Sequence, residues 1–305
     1  MHAKVWLSNF YFLPGERRLD YRDAQNFTAV RAQNSLPDSP ELFGWGAFYQ
    51  TTRSHRDMAI MALQGTLRRA ELPPERVDYV IFCSTGFHDG DIYQGIDYQQ
   101  ILHKLNLVNA YPFGITLGGC TMLLGALRIA EGLVAGSDKH VLIVSVDKVR
   151  EEAFRFQNYA VFSDGAVSCL VSGTARSGFE IIGHNFASQY HPNVATPDDS
   201  ALYKQNHQRL LQNIGLTTSD FKKVFTNNLF YPIVTIKEGL TGVSAGQLYR
   251  KNTPLIGHCY SADTLINLAT YSQEEAVRPG ELFLLNAVSV TGQRGQIVVR
   301  ACQIN

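Results

Sequence analysis

An excess of charge of one sign, long apolar runs, paired cysteines and metal-ligand spacings are all missing from this sequence. Each gap removes a class of function. Lysine and arginine number 27, aspartate and glutamate 27, so no net field draws the chain to nucleic acid or a membrane surface. No apolar run reaches the about 18 residues that a membrane span needs. The opening residues, MHAKVWLSNFYFLPGERR, have no basic stretch followed by a long apolar core, so no secretory signal is expected. The five cysteines, Cys83, Cys120, Cys169, Cys259 and Cys302, are odd in number and form no CxxC pair or zinc spacing. Without an export signal they are expected to be reduced thiols in the cytoplasm. His55, His88 and His103 make no metal spacing with one another, and no metal or resident cofactor is expected. What remains is an ordinary globular composition, 45% hydrophobic and 18% charged, in 305 residues, enough for one large domain or two of usual size.

The chain is organised around Pro112 to Lys148, PFGITLGGCTMLLGALRIAEGLVAGSDKHVLIVSVDK. This reads as a glycine turn, an amphipathic helix, a second turn and a buried strand. Cys120 stands where the turn becomes the helix, after Gly118 and Gly119. Small residues let the backbone bend sharply there and leave room for a second group. A helix start also favours a thiolate over a thiol in general, which is where a nucleophile is useful. The competing reading is a small buried hydrophobe.

Around that stretch, helix and strand patterns alternate. Strands are expected at 4–10, 77–85, 163–173, 179–188, 221–228 and 296–304, and helices at 54–70, 97–105 and 201–215. Residues 11–52 carry little periodicity. Their aromatic fragment FGWGAFYQTT is either a pocket entrance or a packed loop. Residues 254–289 echo 112–147: apolar residues, Gly257, His258, a helix, Gly280, then the strand ELFLLNAVS. The echo implies a duplicated α/β unit, with halves at 1–173 and 174–305 and two mostly parallel sheets covered by helices.

In this order and spacing, the segments GGCTMLLGALRIAEGLVAGSDKHVLIVSVD, FSDGAVSCLVSG and GHCYSADTLINLA–PGELFLLNAVS resemble the thiolase-fold superfamily, and within it the β-ketoacyl-acyl-carrier-protein synthase III branch. The resemblance covers most of 54–305. It implies an α/β, five-layer αβαβα fold built from two pseudo-symmetric halves, a dimer, and an acyl-cysteine intermediate on Cys120. The family pairs its cysteine with a histidine in a Pro-His-Gln-Ala-Asn stretch and an asparagine in a Gly-Asn-Thr-Ser stretch. Here VFTNNLF places Asn227 at the first position and GHCYS places His258 at the second, so the two residue types have changed places. Asn228 competes with Asn227, since both sit where turn-forming asparagines are common. The family's Phe-Gly-Gly-Gly loop is replaced by Val288, Ser289, Val290 and Thr291 before Gly292, and β-branched residues do not take positive φ cheaply.

An imidazole and an amide beside the cysteine keep one titratable group and one donor amide near a developing oxyanion. The expected function is therefore an acyltransferase or condensing enzyme. It loads an acyl group from a coenzyme A or acyl-carrier-protein thioester onto Cys120 and passes it to a carbon nucleophile, an amine or a hydroxyl, in polyketide or other specialised biosynthesis. The alternatives are a thioester hydrolase and a degenerate partner subunit. The expected partners are that thioester and a second chain, identical or related. Asp263 serves either the helix dipole or the imidazole, and Asp164 a supporting turn. Cys83, Cys169 and Cys302 are expected in the core, as is Cys259. His184 and His191 are assigned to surface or loop roles.

Overall fold

A computed structural model describes residues 3–86, 95–174, 177–189 and 200–303. His88, His191 and the 87–93 segment lie outside them. The strands are β1 (Trp6–Pro14), β2 (Arg17–Asp20), β3 (Ala47–Gln50), β4 (Tyr79–Cys83), β5 (Tyr111–Ile115), β6 (His140–Asp147), β7 (Gly165–Ser172), β8 (Phe179–Ser188), β9 (Phe221–Thr226), β10 (Leu248–Tyr249), β11 (Leu282–Val288) and β12 (Gln293–Ala301). The helices are α1 (Phe27–Gln33), α2 (Pro40–Phe43), α3 (His55–Ala70), α4 (Gly95–Lys104), α5 (Met122–Val134), α6 (Ser200–Ile214), α7 (Tyr231–Gly239), α8 (Asn252–Ile256) and α9 (Asp263–Glu274).

Ten strands run in the order β10-β9-β11-β12-β8-β1-β7-β6-β4-β5. The order is symmetric about the β8–β1 junction, where Trp6 and Leu7 pair with Glu180 and Phe179. Each half has three parallel strands, β5-β4-β6 and β10-β9-β11, followed by two antiparallel ones. The expected pair of mostly parallel sheets is thus corrected in number. The halves join in one hydrogen-bonded sheet, while the expected direction holds: β1 runs with β6 and β8 with β11, and only β7 and β12 oppose the other four strands of their halves. For β12 the reason is local: a turn at 289–292 joins it to β11, and so short a connection allows only antiparallel pairing.

Side chains alternate between layers with the period of a strand. Ile81, Ile143, Phe225 and Leu285 face a central layer holding α5 and α9. Val80, Phe82 and Val144 turn the other way, against α3 and α4, and Val224, Leu284 and Val298 against α6. The result is the expected five layers, helix–sheet–helix–sheet–helix, with the two halves of the one continuous sheet forming the two sheet layers. Helix α5 belongs in the middle because it is apolar nearly all round, with Met122, Leu123, Leu124, Ala126, Leu127, Ala130 and Val134 buried.

The unpatterned region 17–50 folds as the antiparallel β2–β3 pair, with α1 and α2 in the connection between them, around a closed aromatic cluster. Trp45 lies among Tyr21, Phe27, Phe43, Phe156 and Phe230 at ring-centroid distances of 4.7–5.7 Å. FGWGAFYQTT is therefore packed, with Trp45 buried. Cys83, Cys169 and Cys259 are core residues, whereas Cys302 is half-buried. It lies past the end of β12, where the apolar alternation that suggested a core position has run out.

Candidate active site

Cys120 sits in a 3-10 turn, Gly119–Thr121, which feeds directly into α5. Gly119 has φ +51, a conformation that costs glycine little. His258 lies on the loop between α8 and α9, five residues before α9 begins. The echo of 112–147 is looser than its sequence suggests, because Cys120 lies in a 3-10 turn that continues into α5, whereas His258 lies on the loop before the turn that leads into α9.

The FSDGA segment holds that loop. The Ser163 N–H donates to the His258 carbonyl at 2.9 Å, and the His258 N–H donates to the Val161 carbonyl at 2.8 Å. Gly257 makes the approach possible. Its φ is +83, and a Cβ there would stand 2.8 Å from the Val161 carbonyl oxygen. Asp164 accepts from the Thr51 and Val149 N–H groups and from buried Arg155, at 2.9, 2.8 and 2.6 Å. Its expected supporting place is thus behind the segment that carries the histidine's backbone.

Three side chains form a line. Cys120 Sγ is 3.4 Å from His258 Nε2, and His258 Nδ1 is 2.5 Å from Asp263 Oδ2. Asp263 is fully buried, and every other group bonded to it is a donor. The Asn228 N–H reaches Oδ2 at 2.7 Å, the Cys259 N–H reaches Oδ1 at 2.7 Å, and Asn228 Nδ2 reaches Oδ1 at 3.3 Å. Such a shell stabilises the carboxylate and fixes which oxygen meets the imidazole. Burial alone lowers the His258 pKa. The charges of Asp263 and Cys120 and the hydrogen bonds to both outweigh it and raise the value to about 10. The imidazole is further fixed by Phe162 (ring centroids 4.8 Å apart) and by Tyr260, stacked at 5.9 Å.

Asn227 and Asn228 have distinct surroundings. Asn227 is buried; its Oδ1 accepts from the Val288 N–H at 2.8 Å and its Nδ2 donates to the Tyr260 carbonyl at 3.3 Å. It ties the ends of β9 and β11 together. No described hydrogen bond joins it to Cys120 or His258. Asn228 is the asparagine nearer the reactive line: besides Asp263, its Nδ2 reaches the Gly257 carbonyl at 2.8 Å, while its Oδ1 accepts from Asn267 at 3.0 Å. Nothing in the spacing separates adjacent asparagines at a strand end, because the pleat alone decides which one turns toward α9.

Two further groups escape sequence reasoning. Asp147, at the end of β6, is fully buried. Burial pushes its pKa up to about 7, against hydrogen bonds from Thr85 and Ser84 and the charge of His258. Tyr159 is raised to about 12 by burial and by Cys120. His184 is on β8, within ion-pair range of Glu131 at 3.3 Å. Among the described residues, no three His, Cys, Asp or Glu side chains converge as a metal cage, and no helix is long and apolar enough to cross a membrane. A wide cleft of about 760 Å³ lies by Phe221, Leu282 and Gly280. It opens at the starts of β9 and β11, whereas Asn227 and Asn228 follow the end of β9, so it is not where the reactive side chains meet.

No known family profile matches the sequence, and no curated protein matches it. Solved structures do. The acyltransferase ChlB3 superposes with a TM-score of 0.82 at 16% identity, covering 99% of this chain and 98% of that one. The 3-oxoacyl-[acyl-carrier-protein] synthase III of Aquifex aeolicus gives 0.78 at 17%, covering 97% and 99%. Cerulenin-bound OleA of Xanthomonas campestris gives 0.81 at 12%, covering 98% and 97%. Likeness over the whole length of each partner, at identities this low, is likeness of fold: this chain is a divergent protein of the thiolase-like fold.

Proposed function

We propose that the chain is a cysteine-dependent acyltransferase. Cys120 takes an acyl group from a coenzyme A or acyl-carrier-protein thioester, and His258 deprotonates the hydroxyl or amine that receives it. The observation that carries this reading is the Cys120–His258–Asp263 line, with its 3.4 and 2.5 Å contacts. In the first half-reaction the thiolate adds to the thioester carbonyl, and the leaving thiolate takes the proton of the His258 imidazolium. That transfer leaves His258 neutral beside an acyl-enzyme, where a base is needed.

A hydroxyl or amine must lose a proton as it attacks, and an imidazole backed by a carboxylate accepts one. Decarboxylative condensation loses carbon dioxide instead and calls for two donors on the enolate oxygen. Asn227, which would supply the second, spends its amide on Tyr260 and Val288. ChlB3, of the same fold, is described as an acyltransferase. Specialised biosynthesis remains the proposed setting and the cytoplasm the proposed location.

The test uses acetyl-, butyryl- and octanoyl-N-acetylcysteamine thioesters, with intact mass and peptide mapping. The expected result is one acyl group on the peptide holding Cys120, removed by an alcohol or amine acceptor. Carbon dioxide released from a malonyl thioester with a carbon–carbon product would make the chain a condensing enzyme. Turnover with no acceptor would make it a hydrolase. No adduct at all would leave the degenerate-subunit reading.

The proposed oligomer is a homodimer. Strand β5 ends the sheet, and an open strand edge is a template for pairing. Tyr111 at its start is 63% exposed, Leu117 just beyond it 88%, and Val108 just before it 68%. A second copy pairing through its own β5 covers all three. Light scattering should give twice 34.0 kDa; a monomeric mass at micromolar concentration would remove the proposal, and mass recovered only with a related chain would make it a heterodimer.

A further inference from the structure

The turn joining β11 to β12 places a hydroxyl over the cysteine turn. A Cβ on Gly119 would overlap Ser289 Oγ and would stand 3.7 Å from Thr291 Oγ1. Ser289 therefore rests against the residue that precedes Cys120, and glycine is required there for space as well as for φ. The hydroxyl is held firmly. The Ser289 N–H donates to the Gln293 carbonyl at 2.9 Å, and the Ser289 carbonyl accepts from the Gly292 N–H at 3.0 Å. Ser289 Oγ accepts from the Thr291 N–H at 3.3 Å and lies 2.7 Å from Thr291 Oγ1. Thr291 Oγ1 donates to Gln293 Oε1, so in this state the proton of Ser289 points to Thr291. The start of the turn is pinned too, because Asn227 Oδ1 holds the Val288 N–H.

Resting on the acyl-enzyme reading above, we propose that Ser289 is a catalytic residue that donates its hydroxyl hydrogen bond to the oxyanion formed when Cys120 adds to the thioester. As the sulfur–carbon bond forms, the carbonyl π electrons pass to oxygen. Ser289 turns its proton from Thr291 to that oxygen, while the Thr291 N–H continues to polarise the hydroxyl. Collapse restores the carbonyl and expels the donor thiolate, which takes the proton of His258. Ser289 neither gains nor loses a proton overall. A donor whose position is fixed in advance stabilises developing charge at little reorganisation; here only the hydroxyl proton turns, while three hydrogen bonds keep the Ser289 oxygen and backbone in place.

Single-turnover acylation of Cys120 by octanoyl-N-acetylcysteamine is measured beside alkylation by iodoacetamide, which uses the same sulfur and forms no oxyanion. Ser289→Ala is expected to slow acylation by on the order of a hundredfold, with alkylation within about twofold of wild type. Ser289→Thr, which keeps the hydroxyl, is expected to recover most of the acylation rate. Unchanged acylation in Ser289→Ala overturns the assignment. So does a parallel loss of both rates, or a failure of Ser289→Thr to recover, since either marks a merely structural turn. Wild-type protein that never takes the acyl group overturns the acyl-enzyme reading itself, a result distinguishable from the others before any variant is made.

Discussion

Cys120→Ala is expected to abolish acyl uptake completely while leaving the fold in place. The chemical half of this expectation follows from the site. The other cysteines near the layers of the core, Cys83, Cys169 and Cys259, are buried, and burial raises all three thiols well above their ordinary values. None can substitute as a nucleophile without opening the core. Cys302, half-buried beyond β12, is the control that matters, and peptide mapping separates it from Cys120. The structural half follows from exposure. Cys120 is only partly buried, so removing its sulfur leaves no sealed cavity, and the loss in unfolding free energy should stay below about 1 kcal/mol. The measurement is intact mass after incubation with the thioester panel, paired with a denaturation curve for each protein. An equal adduct on the variant, or an adduct mapped to another residue, would falsify the nucleophile assignment.

How far the site could be read in advance depended on the kind of signal each residue gives. Cys120 and His258 were legible as candidates because glycine turns announce them: Gly118 and Gly119 before one, Gly257 before the other. The structure places those two side chains 3.4 Å apart across 138 residues of chain. Asp263 was visible only as an acid in the first turn of a helix, where the dipole already explains it. Its bond to His258 depends on how the intervening 3-10 turn is wound, with Tyr260 held at φ +54, and no spacing rule reports that. Asn227 was placed by resemblance alone, at the end of β9, with no signal of its own. Once histidine occupies the α9 side of the site, the residue at the end of β9 is free to serve as a strap. Its two bonds, to Tyr260 and to Val288, are those of a strap.

The fold was legible wherever burial imposes a period. The expected strand at 179–188 and the observed β8 have the same bounds, and α3 starts at His55, one residue after the expected 54, with Ser54 as its N-cap accepting from the Asp57 N–H. The region 11–52 was not legible, because its order comes from seven buried aromatic rings closing on one another rather than from a periodic face. Nor did alternation along each strand disclose that β1 would pair with β8. That junction rests on two residue pairs at the very start of both strands, too few to leave a pattern.

Asp263→Asn should be the most damaging substitution that leaves both Cys120 and His258 in place. The four groups around this carboxylate are all donors: the His258 ring, the Asn228 and Cys259 N–H groups and the Asn228 amide. An asparagine brings one acceptor oxygen and one NH2. If the NH2 faces His258, Nδ1 must accept, Nε2 carries the proton, and the base toward Cys120 and the acceptor substrate is lost. If the amide is flipped, the NH2 meets the N–H of Cys259 instead. Either arrangement should lower turnover by on the order of 10³-fold. The pH dependence discriminates this from simple misfolding. Asp263 raises the His258 pKa and burial lowers it, so without the carboxylate burial prevails and the value falls. Acylation needs the imidazolium to protonate the leaving thiolate, and its rate should decline as pH passes about 10 in the wild type and at a distinctly lower pH in the variant. The same linkage acts on stability. A folded value above the unfolded one contributes stability that is fully present below about 6.5 and is lost as pH rises toward about 10. The wild-type denaturant midpoint should therefore fall across that window, and the variant's midpoint should fall less. A variant that keeps the wild-type high-pH limb and loses less than about tenfold in turnover would show that Asp263 serves only the N-terminus of α9, and the proton relay would have to be sought elsewhere.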